Sequence, residues 1–370
     1  LFSSRHFFSF IPMIVATLCL CLTASIHAEP VAGLYDVAVP VDSQSSKALS
    51  KATVAGLKTV FIRVSGHTNT LEQPQIVAAI RRASSFTRQF RYEQRASPLV
   101  DGGEQLYAVI EFEQQLVDAE LRQAGLPLWS SNRPTVLLWL VMDDSQGRRS
   151  VGVDRDAPTV AAITANARRR GLAIKLPTLD LEDMVAVSTD ELWQLTNWRA
   201  QSAAERYGTD TVLFGRVSRL TSGELLGSWY FRYDQQQVSF DGDADNINDF
   251  IGAALDQVAE LLGDQYAVAP VRISDNGLLL RMTGVSDFTA YARAIQYLES
   301  VAAIRHANVV AVEGDEIIVR IVADGLLSQL QQAFVLDGRL QQSLGSNYQG
   351  DYVLDLDYHW PASTVKTVSQ

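Results

Sequence analysis

The sequence predicts a multi-domain protein of mixed α+β and α/β class, and three observations support that. The chain has 370 residues, 47% of them hydrophobic, enough for two or three ordinary domains with apolar cores. Stretches of period-two hydrophobicity alternate with stretches of helical period along the whole length. One strand-like stretch, TVLLWLVM, is continuously apolar where the others alternate, which reads as a central strand buried on both faces.

The expected divisions are a secretory leader at 1–28, an α+β domain at 29–126, a three-layer α/β domain with added antiparallel strands at 127–268, a βαββα unit of split-βαβ type at 269–343, and a terminal strand with a disordered tail at 344–370. The leader follows from Arg5, the apolar run Phe7 to Ile26 and the small residues before Glu29. Cleavage is expected between Ala28 and Glu29. Pro12 and the lack of basic residues after the run argue against a retained anchor. Leu18 and Leu20 precede Cys19 and Cys21, so neither cysteine has the small neighbour that lipidation needs. Cleavage would remove the only two thiols, leaving a mature chain without disulfide, thiolate or cysteine metal site.

The first domain should open with the strand LYDVAVPV and continue with a helix carrying Leu57, Val60, Phe61 and Val64, ended by Gly66. A second helix near Ile76 to Ile80 precedes strands near Phe86 to Tyr92 and Leu106 to Phe112, split by Asp101-Gly102-Gly103. In the latter strand Leu106, Ala108, Ile110 and Phe112 share one face. The second domain should follow TVLLWLVM with a helix from Pro158 to Arg170, a strand AIKL and a helix through Trp193, Trp198 and Tyr207. Strands TVLFGRVSRL, ELLGSWYFRYD and QQVSF come next, then an amphipathic helix from Ile247 to Leu262. The third domain should place Phe288, Tyr291, Ile295 and Leu298 on one helix and turn a hairpin at Glu313-Gly314-Asp315-Glu316. DYVLDLDY alternates Tyr352, Leu354, Leu356 and Tyr358 with aspartates, a terminal strand that would offer an edge to a partner.

YDVAVPV, the helix ending FIRVSG and the segment AAERYGTDTVLFGRV resemble a bacterial envelope family known as domain of unknown function 2066. That resemblance implies no activity and no site residues. From Ala203 to Leu262 the order of helix, GTDTVLFGRV, GSWYFRYD and helix is similar to the amino-terminal domain of TolB, to the curli secretion lipoprotein and to lipoprotein activators of penicillin-binding proteins. These likenesses imply a partner-binding, non-catalytic role.

Composition excludes several functions. The formal charge is −11, and without the leader 30 basic residues face 42 acidic ones, which disfavours nucleic acid and anionic lipid. Arg168-Arg169-Arg170 before Gly171 reads as a basic helix terminus that complements the dipole. The histidines beyond the leader, His67, His306 and His359, sit in no nucleophile motif. Asp241, Asp243, Asp245 and Asp249 have the spacing of a calcium loop, but Asn246 and Gly252 stand where glycine and a bidentate glutamate belong. Capping of the following helix by Asp243 or Asp245 is the plainer reading. Glu111 with Glu113, or Asp355 with Asp357, could act as a glycosidase pair but also suit solvated strand faces. Trp229, Phe231 and Tyr233 could stack a ligand but fit a sheet core. No cofactor, metal or catalytic constellation is therefore expected. The expected function is that of a periplasmic, non-enzymatic protein-binding or scaffolding factor of a gram-negative envelope. It would have a protein partner and no membrane contact after cleavage. The alternative is a carboxylate-based hydrolase of envelope glycans.

Overall fold

The computed structural model describes residues 31–96, 104–195, 204–270, 273–274, 276–343 and 352–361. The leader, both cysteines, Ala28, Glu29, the Asp101 turn, Trp198 and the last nine residues lie outside the described residues. The fold is a multi-domain α+β arrangement with three mostly antiparallel sheets.

The first domain contains β1 (Asp36–Pro40), α1 (Ser46–Ser65), α2 (Pro74–Arg81), β2 (Thr87–Ala96), β3 (Glu104–Phe112) and α3 (Gln114–Gln123). Its antiparallel sheet has the order β1-β3-β2. Ser45 starts α1 by accepting a hydrogen bond from the Ala48 N–H at 3.2 Å. Gly66 ends it in the left-handed conformation at φ +85°. As expected, Ala108, Ile110 and Phe112 are buried, and they pack on Leu57, Val60 and Phe61. The helix α3 was not anticipated. It buries only Val117 and Leu121, a single i, i+4 pair that gives almost no periodic signal.

The second domain contains β4 (Thr135–Asp144), β5 (Gly147–Val151), α4 (Ala157–Arg170), β6 (Ala173–Lys175), α5 (Leu181–Ala186), α6 (Thr189–Trp193), β7 (Thr211–Arg219), β8 (Leu225–Tyr233), β9 (Gln236–Ala244) and α7 (Ile247–Tyr266). The sheet order is β5-β4-β7-β8-β9, with β6 beside the start of β4. Only the pairings of β4 with β6 and β7 are parallel. The continuously apolar strand is buried on both faces. Val136, Leu138 and Leu140 meet the side of α4 and α7, whereas Leu137, Trp139 and Val141 meet Val187 and Leu192. Trp229, Phe231 and Tyr233 are core residues, and Trp229 stands 5.2 Å from the Phe250 ring, centroid to centroid. The hairpin strand β5 was missed because GRRSV is too charged to read as a strand.

The third domain contains β10 (Leu278–Thr283), α8 (Phe288–Ser300), β11 (Ile304–Glu313), β12 (Glu316–Ala323), α9 (Leu327–Asp337), β13 (Gln341–Gln342) and β14 (Leu356–His359). Its sheet order is β11-β12-β10-β14-β13. The βαββα order matches expectation, but the terminal strand does not stand apart. β14 lies inside the sheet, parallel to β10 on one side and antiparallel to β13 on the other. Leu356, Tyr358 and Trp360 enter the domain core. The proposed free edge at DYVLDLDY is thus already paired on both sides.

The segment Leu128 to Arg133 joins all three domains. Leu128 and Val268 exchange backbone hydrogen bonds of 2.9 and 2.8 Å, and the Trp129 N–H donates to the Val64 carbonyl at 2.7 Å. Asn132 donates to the Asp337 carboxylate at the end of α9. Arg133 is fully buried and donates to the carbonyls of Arg63, Trp129, Ser130, Arg170 and Gly171 within 2.7 to 3.2 Å. Its guanidinium also lies 3.9 Å from the Trp129 ring centroid. Burial, with Arg63 and Arg170 nearby, pulls its basicity down.

Candidate functional site

The residues singled out in the sequence mostly occupy structural positions. Arg168-Arg169-Arg170 does end α4 before Gly171, at φ +70°, but Arg170 is buried rather than a solvated terminal charge. It donates to the Gly66 carbonyl at 2.8 Å and pairs with Glu260 at 3.1 Å. His67 places Nδ1 2.9 Å from the same Glu260 carboxylate. His306 is exposed on β11, and His359 meets the Thr283 hydroxyl at 3.0 Å.

The aspartates of the calcium-loop reading do not form a loop. Asp241 and Asp243 lie on β9, opposite Ser228 and Leu226. Asp249 lies in the first turn of α7. The cap is Asn246, not Asp243 or Asp245: its Oδ1 accepts from the Asp249 N–H at 3.0 Å. Among the described residues no group of three or more acids, histidines or cysteines is placed to hold a metal ion.

The carboxylate pairs are also engaged. Glu111 pairs with Arg88 at 2.8 Å and accepts from Gln89, while Glu113 leaves the strand just before α3. Asp355 accepts from the Leu279 N–H at 2.8 Å, and Asp357 pairs with Arg281 at 3.1 Å. Both acids therefore hold β14 to β10.

Two of the concave sites combine features that bear on function. The first, about 400 Å³ in volume, lies where α3, the linker and the turn from α8 to β11 meet. Asp118 and Glu299 both line it. The Tyr35 hydroxyl donates to Asp118 Oδ1 at 2.8 Å. Burial raises the Asp118 carboxyl above its ordinary value, with the Tyr35 hydrogen bond and the Arg122 charge acting against that rise. A raised carboxyl in a cleft that a second acid also lines is a feature that acid chemistry could use; Asp36 and Asp337 are raised as well, chiefly by burial.

The second site, about 690 Å³, is a groove between the first half of α1 and the start of β2. Leu49, Val54 and Phe90 supply its apolar floor, and Arg81 and Arg88 line it without any carboxylate. Phe90 is 50% exposed and meets Tyr92 edge-on at 5.9 Å. In register, Phe90 and Tyr92 lie opposite Ile110 and Ala108, so they face the helices while Arg91, Glu93 and Arg95 face away. Sequence reading found this strand but not its role as the sheet's outer member. Strand order depends on long-range pairing, which local periodicity does not encode.

Residues 28–130 match a family described as a domain of unknown function, DUF8605. The match spans the first domain and enters the linker. No curated protein matches the chain. A solved structure described as an uncharacterized protein is 10% identical, covers 36% of this chain and 92% of its own, and has a TM-score of 0.16. None of these matches supports the likeness to family 2066 or to TolB.

Proposed function

We propose that this chain is an exported, non-enzymatic factor that binds or scaffolds proteins in the bacterial envelope. The observation that carries this reading is the outer strand β2, ten residues long and paired on one side only among the described residues, standing beside an open groove. Unpaired strand edges next to apolar grooves are recurrent sites of peptide capture. The linker stitches the domain bearing that edge to the other two, so a captured partner would be held on a fixed platform. The apolar leader supports export to the periplasm of a gram-negative cell. No helix among the described residues is long and apolar enough to cross a membrane. Formaldehyde crosslinking in intact cells, followed by identification of the captured proteins, tests the reading. Recurrent capture of an exported protein is expected, and its absence counts against it.

A second reading, a carboxylate-based hydrolase of envelope glycans, is favoured by Asp118 and Glu299 lining one cleft. Turnover of purified peptidoglycan that is abolished by Asp118→Asn would establish it.

A further inference from the structure

We infer that the groove between α1 and β2 binds an extended, acidic segment of a partner protein, which adds to the first sheet as a fourth strand along β2. This rests on the protein-binding reading above and extends it by assigning the site and the chemistry of the partner.

The edge is the first ground. Along its outer side, β2 has no strand neighbour and no backbone partner among the described residues. Folded proteins ordinarily blunt such edges with proline, bulges, charged side chains or inward charges; the charges on β2, Arg88, Arg91, Glu93 and Arg95, are paired with Glu111 or with one another. β2 contains no proline, and its one irregularity falls between Thr87 and Gln89, leaving regular pairing from Phe90 to Ala96. Of the β2 residues that line the groove, Thr87, Gln89 and Phe90 are uncharged and Arg88 is charged, and Tyr92 shares the helix-facing side with Phe90.

The groove is the second ground. A strand added at ordinary spacing, about 4.8 Å from β2, would lie over the opening. Its alternate side chains would then descend toward Phe90, Leu49 and Val54. The added backbone would supply the missing hydrogen bonds, and every second side chain would supply apolar contact.

Charge decides what kind of segment fits. Two arginines and no acid line the groove; Arg88 is paired with Glu111 at 2.8 Å, whereas Arg81 has no ion-pair partner among the described residues. Lys47 and Lys51 stand exposed on the same half of α1, one helical turn apart. The amino terminus of α1 adds its own positive potential. Elsewhere the chain is acidic. Residues 31–126 balance ten basic against ten acidic side chains while the whole carries −11. A basic segment would be repelled at this groove, and an acidic one attracted.

The test uses the full chain and two acetylated decapeptides, one alternating valine with glutamate and one alternating valine with lysine. Amide hydrogen exchange should slow along Phe90 to Arg95 with the glutamate peptide and not with the lysine peptide. Arg81→Glu should weaken binding about tenfold at low salt, and salt of about 0.5 M should weaken it in the wild type. Phe90→Ala should weaken it too, and methylation of alternate peptide nitrogens should abolish it. Both substitutions lie at exposed positions, and thermal melting confirms that the variants fold. Equal binding of the lysine peptide, no protection in β2, or indifference to Arg81→Glu would overturn the inference. Cellular capture that persists undiminished in Arg81→Glu would also overturn it, yet leave the protein-binding reading standing. No capture by the wild type would remove that reading itself.

Discussion

Gly66 and Gly263 face each other backbone to backbone across the junction of the first and second domains. A Cβ on Gly66 would lie 3.0 Å from the Gly263 Cα, and one on Gly263 would lie 3.2 Å from the Gly66 Cα. The contact lets the end of α1 dock on α7, which brings His67 and Arg170 to Glu260. Gly66→Ala should cost about 1–2 kcal/mol from its left-handed backbone alone, with the clash added. Gly263→Ala carries only the clash and should cost on the order of 1–3 kcal/mol. Urea unfolding checks both, and an unchanged midpoint in Gly263→Ala would show that the junction is looser than the structure has it.

Arg133 is the second element of that junction. Arg133→Met fills the space but leaves five carbonyls without their donor. Each buried acceptor left unpaired costs about 1–3 kcal/mol, so a loss of at least about 3 kcal/mol is expected. Arg133→Lys should recover little, because an ammonium cannot reproduce the planar fork that reaches carbonyls on several sides. Calorimetry of the two variants checks the order.

Two carboxyls should give opposite pH signatures. The raised Asp118 carboxyl holds its proton more tightly in the folded than in the unfolded chain. Its effect is therefore a loss of stability as pH rises from the ordinary carboxylate range through the raised folded value. Asp118→Asn keeps an acceptor for Tyr35 but cannot ionise, so it should gain stability relative to the wild type over that rise. Glu260 behaves the other way. Burial raises its carboxyl, but hydrogen bonds from Thr68 and His67 and the Arg170 charge prevail and lower it. Its stabilisation is present above the ordinary carboxylate range and is lost as pH falls through the lowered folded value. Glu260→Gln should therefore flatten the acid limb of the stability curve. Denaturation midpoints measured between pH 3 and 8 read both effects.

The terminal strand yields a test of domain integrity. Tyr358 meets Phe334 at 5.2 Å and Trp360 meets Tyr297 at 5.7 Å, ring centroid to ring centroid. Trp360→Ala should cost about 3 kcal/mol or more. Deleting everything after residue 351 should abolish protection of the β10 and β12 amides in hydrogen exchange. The first and second domains, with separate cores, should keep theirs.

The sequence disclosed what local periodicity encodes. The doubly buried β4, the stripe of α7, the aromatic face of β8 and the βαββα order of the third domain all carry strong repeats over many residues. Short elements with one or two buried side chains, α3 and β5, were hidden by their charge. The place of β14 inside its sheet could not be read, since alternation reports a strand but not its neighbours. The linker was equally opaque. Trp129 and Arg133 look like surface residues between two prolines, and only the fold shows five carbonyls converging on one guanidinium. The candidate groove combines both difficulties, for it needs strand order and the packing of α1 together.

Site-specific photocrosslinking in intact cells tests the protein-binding claim most directly, with a photoreactive amino acid placed in turn at Phe90 in the groove and at Val335, exposed on α9. A discrete adduct to an exported protein is expected from position 90, absent from position 335 and lost when Arg81→Glu is added. No adduct from position 90, or equal adducts from both positions, would contradict the claim.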